Sequence, residues 1–492
     1  MGCGASTPAA PTRTAAAFAS NLEAFEQLIA AWGKGDFADL SNPAWKTFMT
    51  PSFTFDATGA EGLHPVFKEY KGYKSFKEWL DMVASNELSD LVIKFVAGPK
   101  SAPNTIIQKL SVKMTNKATG KAMPAPMTDI IVWDFNENHV ATSAKIYFGA
   151  PEQIAYVLDK DMPAVSPQPT MPVPEGVTSE KALELFGTIY GAWGTGEFNK
   201  PETKQEAMDK YWASDFVLDC TAGHLPSQHP GIFRLFHGHK GGDTWVNDVI
   251  GQWEMSGLDM TGEGMVASPT EGAVIHRFSS TIKHKATGKS SAPLVDMVEW
   301  YFNADGKCTG GKFYWGKPQS VAALYPAAPA VPPAAHAFFD GRPLADKAAA
   351  LPELMVDDYE TAFVGPYTGA TTGVTMDKEK MGGAAKSLTA SFPDFTFNPT
   401  KVTPVQGVDG GWWAKILVTG TFTGEPFTPM PGKLPPIEPT GKGWTIGPEV
   451  FTVYTDETGE KLQRITIEPQ YKGALNGPPG IYVANGGTLP AP

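Results

Sequence analysis

Apolar residues recur at three- and four-residue intervals in two separated stretches of the chain. Leu22, Phe25, Ile29 and Trp32 form one stripe, and Leu183, Phe186, Tyr190 and Trp193 form the other. That spacing predicts amphipathic helices with one face on a core. Each stripe ends in the same punctuation, AWGKGDF at Ala31–Phe37 and AWGTGEF at Ala192–Phe198, whose glycines stop a helix. Ser20 with Glu23 three positions later is a capping box opening the first helix. Further along, the period falls to two. DIIVWDFN from Asp129 and DMVEWYFN from Asp296 read as strands, with Asp129, Ile131, Trp133 and Phe135 on one face. Asp296, Val298, Trp300 and Phe302 share the matching face of the second run.

The correspondence extends well beyond these elements. His64-Pro65 answers His229-Pro230, KGYK at Lys71 answers HGHK at His237, and KATGK occurs at Lys117 and again at Lys285. KIYFGAP from Lys145 pairs with KFYWGKP from Lys312. The offset is 161 at Leu22 and Leu183 and 167 at Asp129 and Asp296, so a few short insertions separate two copies of one unit. Two proline-rich stretches, Met162–Gly176 and Tyr325–Ala335, have the composition of extended spacers. The expected organisation is a tail over 1–18, a domain over 19–161, a linker over 162–176 and a second domain over 177–325. A linker over 326–335, a third domain over 336–483 and a tail over 484–492 complete it. In the third block, PLADKAAALPELMVDDYE reads as a short helix running into a strand. A second helix ends in SLTASFPDFTFN, and three strands follow in WWAKILVTGTFTG, PEVFTVYTD and KLQRITIEP. Aligning EVFTVYT with DIIVWDF sets Glu449 opposite Asp129 and Asp296. Helices followed by several long strands give an α+β class.

Composition narrows the function. A chain 42% hydrophobic and 19% charged is globular, and its net charge of −12 argues against a nucleic-acid partner. Cys3, Cys220 and Cys308 lie far apart, without the spacing of a disulfide framework or thiolate site. No GxGxxG before a helix, P-loop, GxSxG or HExxH occurs, so no cofactor is expected. The histidines of the second block, among them His224, His229, His237 and His239, lack carboxylate or thiolate partners at ligand spacing, so no metal is expected either. The first residues, MGCGAS, fit an acylation signal, with Gly2 as the myristoylation position and Cys3 as a palmitoylation position. One acyl chain binds membranes marginally and only Arg13 follows nearby, so a second chain on Cys3 is required. This predicts attachment to the cytoplasmic leaflet of a membrane, and a cytoplasmic protein otherwise.

In the third block ASFPDF, GTFTG at Gly420–Gly424 and PTGKGW at Pro439–Trp444 resemble the SnoaL-like family of the nuclear transport factor two-like superfamily. The resemblance implies three tandem cone-shaped domains, each a curved antiparallel sheet wrapped around N-terminal helices and an apolar cavity. Relatives include polyketide cyclases, ketosteroid isomerase and scytalone dehydratase, and pairing through the sheet, as a homodimer or between domains of one chain, is expected. SnoaL-like cyclases carry a histidine where this chain has Phe422, and that departure removes the acid-base partner in the third block. Asp394 of FPDF reads as structural, and Glu468 falls near the family's acid at the end of the last strand.

The alternation makes Asp129, Trp133, Trp300, Glu449 and Phe451 candidate cavity residues. A carboxyl among aromatics is raised by desolvation and suits acid-base work. Tyr147 and Tyr314, on the following strand, are candidates for a phenol donor. His276, in the strand-like AVIHRFSSTI, is a candidate partner for Asp296, which makes Asp296, His276 and Tyr314 the candidate catalytic set. His276 corresponds to Gln108, which cannot exchange a proton near neutrality. Two readings follow: a lipid-anchored protein whose cones bind apolar small molecules or mediate assembly, and an isomerase, dehydratase or cyclase acting on an apolar carbonyl compound. The absent histidine of the third block and the repetition favour the first.

Overall fold

In the computed structural model the first helix, Asn21–Gly33, opens where the capping box sets it: Ser20 Oγ accepts the N–H of Glu23 at 3.2 Å. The Glu23 carboxylate returns a bond to the N–H of Ala19 at 2.7 Å. Its counterpart, Ser179–Gly194, is capped by Thr178 in the same way. The structure describes residues 18–160, 176–223, 232–258, 262–325, 331–364, 371–399, 411–429, 434–469 and 477–489, with a few isolated positions between them. The tail with Gly2 and Cys3, and the loop with His224 and His229, lie outside the described residues.

The repeated turn has a plain cause. Gly35 and Gly196 take φ of +79° and +77°, a left-handed conformation that costs other residues about 1–2 kcal/mol. Each donates back to the carbonyl of its tryptophan, Trp32 or Trp193, and the chain reverses. The reversal drives Phe37 against Trp45 and Phe198 against Trp212, with ring centroids 5.2 and 5.0 Å apart.

The predicted helix stripe is displaced by part of a turn. The fully buried face of the first helix is Ala24, Phe25, Leu28 and Ala31, whereas Leu22 is 38% exposed. Ile29 and Trp32, and Trp193 in the second copy, are partly buried at the edge of the core and border cavities, whereas Tyr190 is buried in the core and borders the cavity as well.

The architecture is α+β: three sheets, each flanked by helices in a cone-like arrangement. The first sheet runs in the order Glu69–Lys71, Met49–Asp56, Ala141–Tyr147, Met127–Phe135, Thr105–Asn116, Asn86–Ala97. The second and third sheets repeat that plan. Neighbours are antiparallel except one pair in each sheet, where the first long strand lies parallel to the last. These pairs are Met49–Asp56 with Ala141–Tyr147, Trp212–Asp219 with Cys308–Tyr314, and Met355–Val364 with Leu462–Pro469. Sequence alternation cannot reveal this, because strands so far apart in the chain are not bound to the hairpin geometry. In the third unit the expected short helix of PLADKAAALPELM is two 3₁₀ turns, Leu344–Asp346 and Leu351–Leu354, before its strand. Proline at 352 and the brevity of the segment fit short turns better than an α-helix.

The first two sheets meet back to back. Ile107, Ile130, Val132 and Tyr147 of one pack with Ile275, Met297 and Tyr314 of the other. Across this seam Lys109 Nζ reaches Glu299 Oε2 at 2.6 Å and Thr270 Oγ1 at 2.7 Å. Ser268 Oγ and Tyr301 OH also donate to the Glu299 carboxylate, at 2.6 and 2.8 Å. Burial pushes that carboxyl up, but Lys109 and these hydrogen bonds outweigh it and hold the pKa below the ordinary range.

Candidate functional site

Asp129, Asp296 and Glu449 occupy the same place in the three sheets, and all three are at least 98% buried. Each accepts a backbone N–H from the segment that leaves the last strand. Gly149 N donates to Asp129 Oδ1 at 2.8 Å, Gly316 N to Asp296 Oδ1 at 2.7 Å, and Gly477 N to Glu449 Oε1. The bond pins the exit of the final strand onto its neighbour, a structural task common to the three units. Each acid also borders a cavity. Burial pushes Asp129 up to about 7, against the Gly149 N–H and Lys312. Burial likewise raises Asp296 to about 6 and Glu449 to about 7.

The cavities differ greatly in size. The second unit holds about 360 Å³, walled by Trp193, Trp245, Trp253, Trp300, Phe313 and Trp315. That is within the range of about 300–1,000 Å³ for small-molecule sites. The first unit holds about 230 Å³, lined by Trp32, Trp79, Leu110, Ile131 and Trp133 among others. Among the described residues of the third unit the cavity beside Glu449 holds about 60 Å³, where Phe395, Phe397, Phe451 and Ile467 converge. The unit with the plainest sequence resemblance is therefore the one with the least room. Phe422, where a cyclase histidine would stand, is fully buried against Phe392 at 4.9 Å. Asp394 accepts the N–H and hydroxyl of Thr421 at 2.6 and 2.7 Å, a structural role. Glu468 alternates with the cavity residue Ile467, and burial raises its carboxyl pKa while Arg234 of the second unit opposes the rise.

His276 and Asp296 border the same cavity from adjacent strands, but they are not cross-strand partners. The register sets His276 against Val298 and Asp296 against Phe278. The His276 ring contacts Phe186, Tyr190 and Phe278, with centroids 5.7, 5.1 and 5.8 Å away. At the matching place in the first unit Gln108 Oε1 accepts the indole N–H of Trp133 at 2.8 Å. Tyr147 and Tyr314 do not join the acids. The pleat turns Phe313 and Trp315 into the cavity and therefore Tyr314 outward, so both tyrosines lie in the seam between the first two sheets. Burial holds both phenols far above their ordinary range. His239 is structural as well: its Nε2 meets Trp212 O at 3.2 Å, as Tyr73 OH meets Met49 O at 2.7 Å in the first unit.

Sequence reasoning missed Trp245, which stands on a π-helical turn, Thr244–Val249, and lines the large cavity. The alignment of KGYK with HGHK puts it opposite Trp79, and that was the signal available. It also missed the buried pairs Lys109–Glu299 and Lys312–Asp219, the latter at 2.6 Å.

No family model matches this chain, and no curated protein matches it. Among solved structures it is similar to an NTF2-like protein of unknown function from Burkholderia pseudomallei, at 16% identity and a TM-score of 0.23, over 29% of this chain and 100% of that one. It is also similar to a putative SnoaL-like polyketide cyclase from Mesorhizobium loti, at 13% identity and a TM-score of 0.20, over 26% and 97%. A Mycobacterium tuberculosis protein solved in complex with estradiol-17beta-hemisuccinate matches at 17% identity and a TM-score of 0.21, over 26% and 92%. Likeness at this level leaves function to the chain's own residues. Among the described residues they define a three-sheet α+β protein with two roomy aromatic cavities and a third that is nearly filled.

Proposed function

We propose that this protein binds small apolar ring compounds in the cavities of its first and second units, and that the third unit is structural. The carrying observation is the pair of aromatic-walled cavities of about 360 and 230 Å³ beside a third of about 60 Å³. Full-length protein titrated with the fluorescent probe N-phenyl-1-naphthylamine should bind two molecules saturably. Filling the first cavity with Ile131→Trp, or the second with Val298→Trp, should each reduce the stoichiometry by one. Absence of saturable binding, or a stoichiometry untouched by both substitutions, would remove the proposal. His276 and Asp296 on the wall of one cavity support a second reading, acid-base turnover of a bound carbonyl compound. Conversion that disappears in His276→Gln would favour it over binding alone.

The same reading places the protein on the cytoplasmic face of a membrane through acyl chains on Gly2 and Cys3. MGCGAS supports this, and among the described residues no helix is long and apolar enough to cross a membrane. Gly2→Ala should move the protein wholly into the soluble fraction, and Cys3→Ser should leave weak, reversible attachment. An unchanged distribution of Gly2→Ala between membrane and soluble fractions would exclude the anchor.

A further inference from the structure

Among the described residues, the large apolar side chains left exposed gather on the first unit. Leu22, Leu40, Leu88, Leu91 and Val92 belong to it, and Leu489 alone lies elsewhere. Leu88 and Leu91, 37% and 50% exposed, also line the first cavity. They stand on Asn86–Ala97, the outermost strand of the first sheet. The same cavity is bordered by Trp32 and Gly33, at the end of the first helix, and by Val83, near the end of the helix Gly72–Ala84. The cavity therefore runs out to the surface over apolar side chains, which is a mark of a binding groove.

Its interior is apolar as well. Gln108 and Asp129 bring the only amide and carboxyl groups to the lining. Both are engaged within the protein, Gln108 Oε1 by the Trp133 indole at 2.8 Å and Asp129 Oδ1 by the Gly149 N–H at 2.8 Å. The second cavity, by contrast, is bordered by Asn199, His276, Lys285 and Asp296. The first suits a hydrocarbon that brings no polar group inside and leaves its head at the lip. A chain too long to be enclosed still has Leu88 and Leu91 to lie against.

Such a hydrocarbon is implied at the N-terminus of the same chain. Gly2 precedes Phe18 by sixteen positions, with Arg13 the one charged residue between them. Sixteen residues reach at most about 55 Å. The first helix, 13 residues long, spans about 20 Å, so Gly2 reaches the cavity mouth at its far end. Resting on the binding and anchoring readings above, we propose that the acyl chain on Gly2 is an internal ligand of the first cavity. Held there, it is withheld from the membrane. An apolar compound that fills the cavity expels it and so promotes attachment, and the coupling is reciprocal. The magnitudes allow this. One myristoyl chain binds a bilayer with an association constant of only about 10⁴ M⁻¹. A tethered chain meets its own cavity at an effective concentration in about the millimolar range. A cavity affinity no better than the bilayer affinity then keeps about ten chains inside for each one outside.

The test compares the full chain with and without myristate on Gly2, added by co-expression with a myristoyltransferase and verified by mass. The unmodified chain should take two molecules of N-phenyl-1-naphthylamine and the myristoylated chain one. On phosphatidylcholine vesicles, with no probe present, Ile131→Trp in the myristoylated chain should raise binding about tenfold, since a filled cavity leaves the acyl chain outside. Leu91→Gln, at an exposed position that folding tolerates, should raise it in the same direction. In the unsubstituted myristoylated chain, nuclear Overhauser contacts should join the acyl chain to the methyl groups of Leu88, Leu91 and Leu110. That readout needs no substitution. Equal stoichiometry with and without myristate, or vesicle binding indifferent to both substitutions, overturns the proposal and leaves the binding and anchoring readings standing. If the unmodified chain binds no probe while the acyl contacts are seen, the binding reading fails and the internal ligand stands. A Gly2 that the enzyme does not acylate removes the anchor and this proposal together.

Discussion

Replacing Lys109 with methionine should destabilise the joined first and second units by about 3–5 kcal/mol, the usual consequence of stranding a buried charge. Glu299 is 0% exposed and Lys109 15% exposed, so solvent offers the carboxylate little compensation. Methionine keeps the aliphatic packing across the seam, which isolates the loss of the ion pair. The pH dependence has a definite sign. The Glu299 pKa is lowered in the folded protein, so the pair contributes above the unfolded glutamate value of 4.5 and the contribution is lost as pH falls through the depressed value. In Lys109→Met the trend reverses, because protonating Glu299 then relieves an unpaired buried charge. Denaturant titration followed by tryptophan fluorescence at several pH values measures both effects. Combining Lys109→Met with Glu299→Gln should recover most of the loss, and a single-substitution cost below about 1 kcal/mol would show that the pair does not hold the seam.

Asp129→Asn should stabilise the protein at pH 8 and destabilise it by about 1–3 kcal/mol near pH 4, where there is almost no ionisation penalty to relieve. Burial raises the folded pKa of Asp129 to about 7, against an ordinary value of 3.8. Between those values the folded protein retains a proton that the unfolded chain releases. Stability therefore falls as pH rises across the window and stays low above it. The ionisation penalty at pH 8 is on the order of 4 kcal/mol, at about 1.4 kcal/mol per pKa unit. Asparagine keeps an oxygen for the Gly149 N–H but brings an amide N–H₂ whose burial costs about 1–3 kcal/mol. The expected net gain is about 2 kcal/mol, read as a higher midpoint of thermal or denaturant unfolding at pH 8. A loss of stability at pH 8 would mean that the carboxylate is wanted in its charged form. The same comparison at Asp296, raised to about 6, should give the same sign with a smaller gain.

Much of the cone plan was legible because it is written in local spacing. The capping box at Ser20, the stops at Gly35 and Gly196 and the strand faces of Asp129, Trp133, Asp296 and Trp300 depend on residues a few positions apart. Periods of 3.6 and two report such features directly. The duplication was legible too, since two copies on one chain reveal which positions the fold reuses.

What escaped the sequence depends on elements far apart in the chain. Alternation placed Asp296 on a face but could not say that Gly316, twenty positions on, would donate to it. It could not say that Tyr147 and Tyr314 would be shared out to the seam between two sheets, because sheet-on-sheet packing decides which face is inside. Nor could it rank the cavities. The volume left in a cone is the small difference between its envelope and the side chains that converge on it from several strands and helices. Phe395, Phe397 and Phe451 nearly close the third, while the same number of strands leaves about 360 Å³ open in the second. The sequence alone thus determined the repeated α+β unit, its caps and the phase of its strands. Tertiary packing decided which sheets face each other, which cavities stay open, and which of them runs out to the surface past exposed leucines.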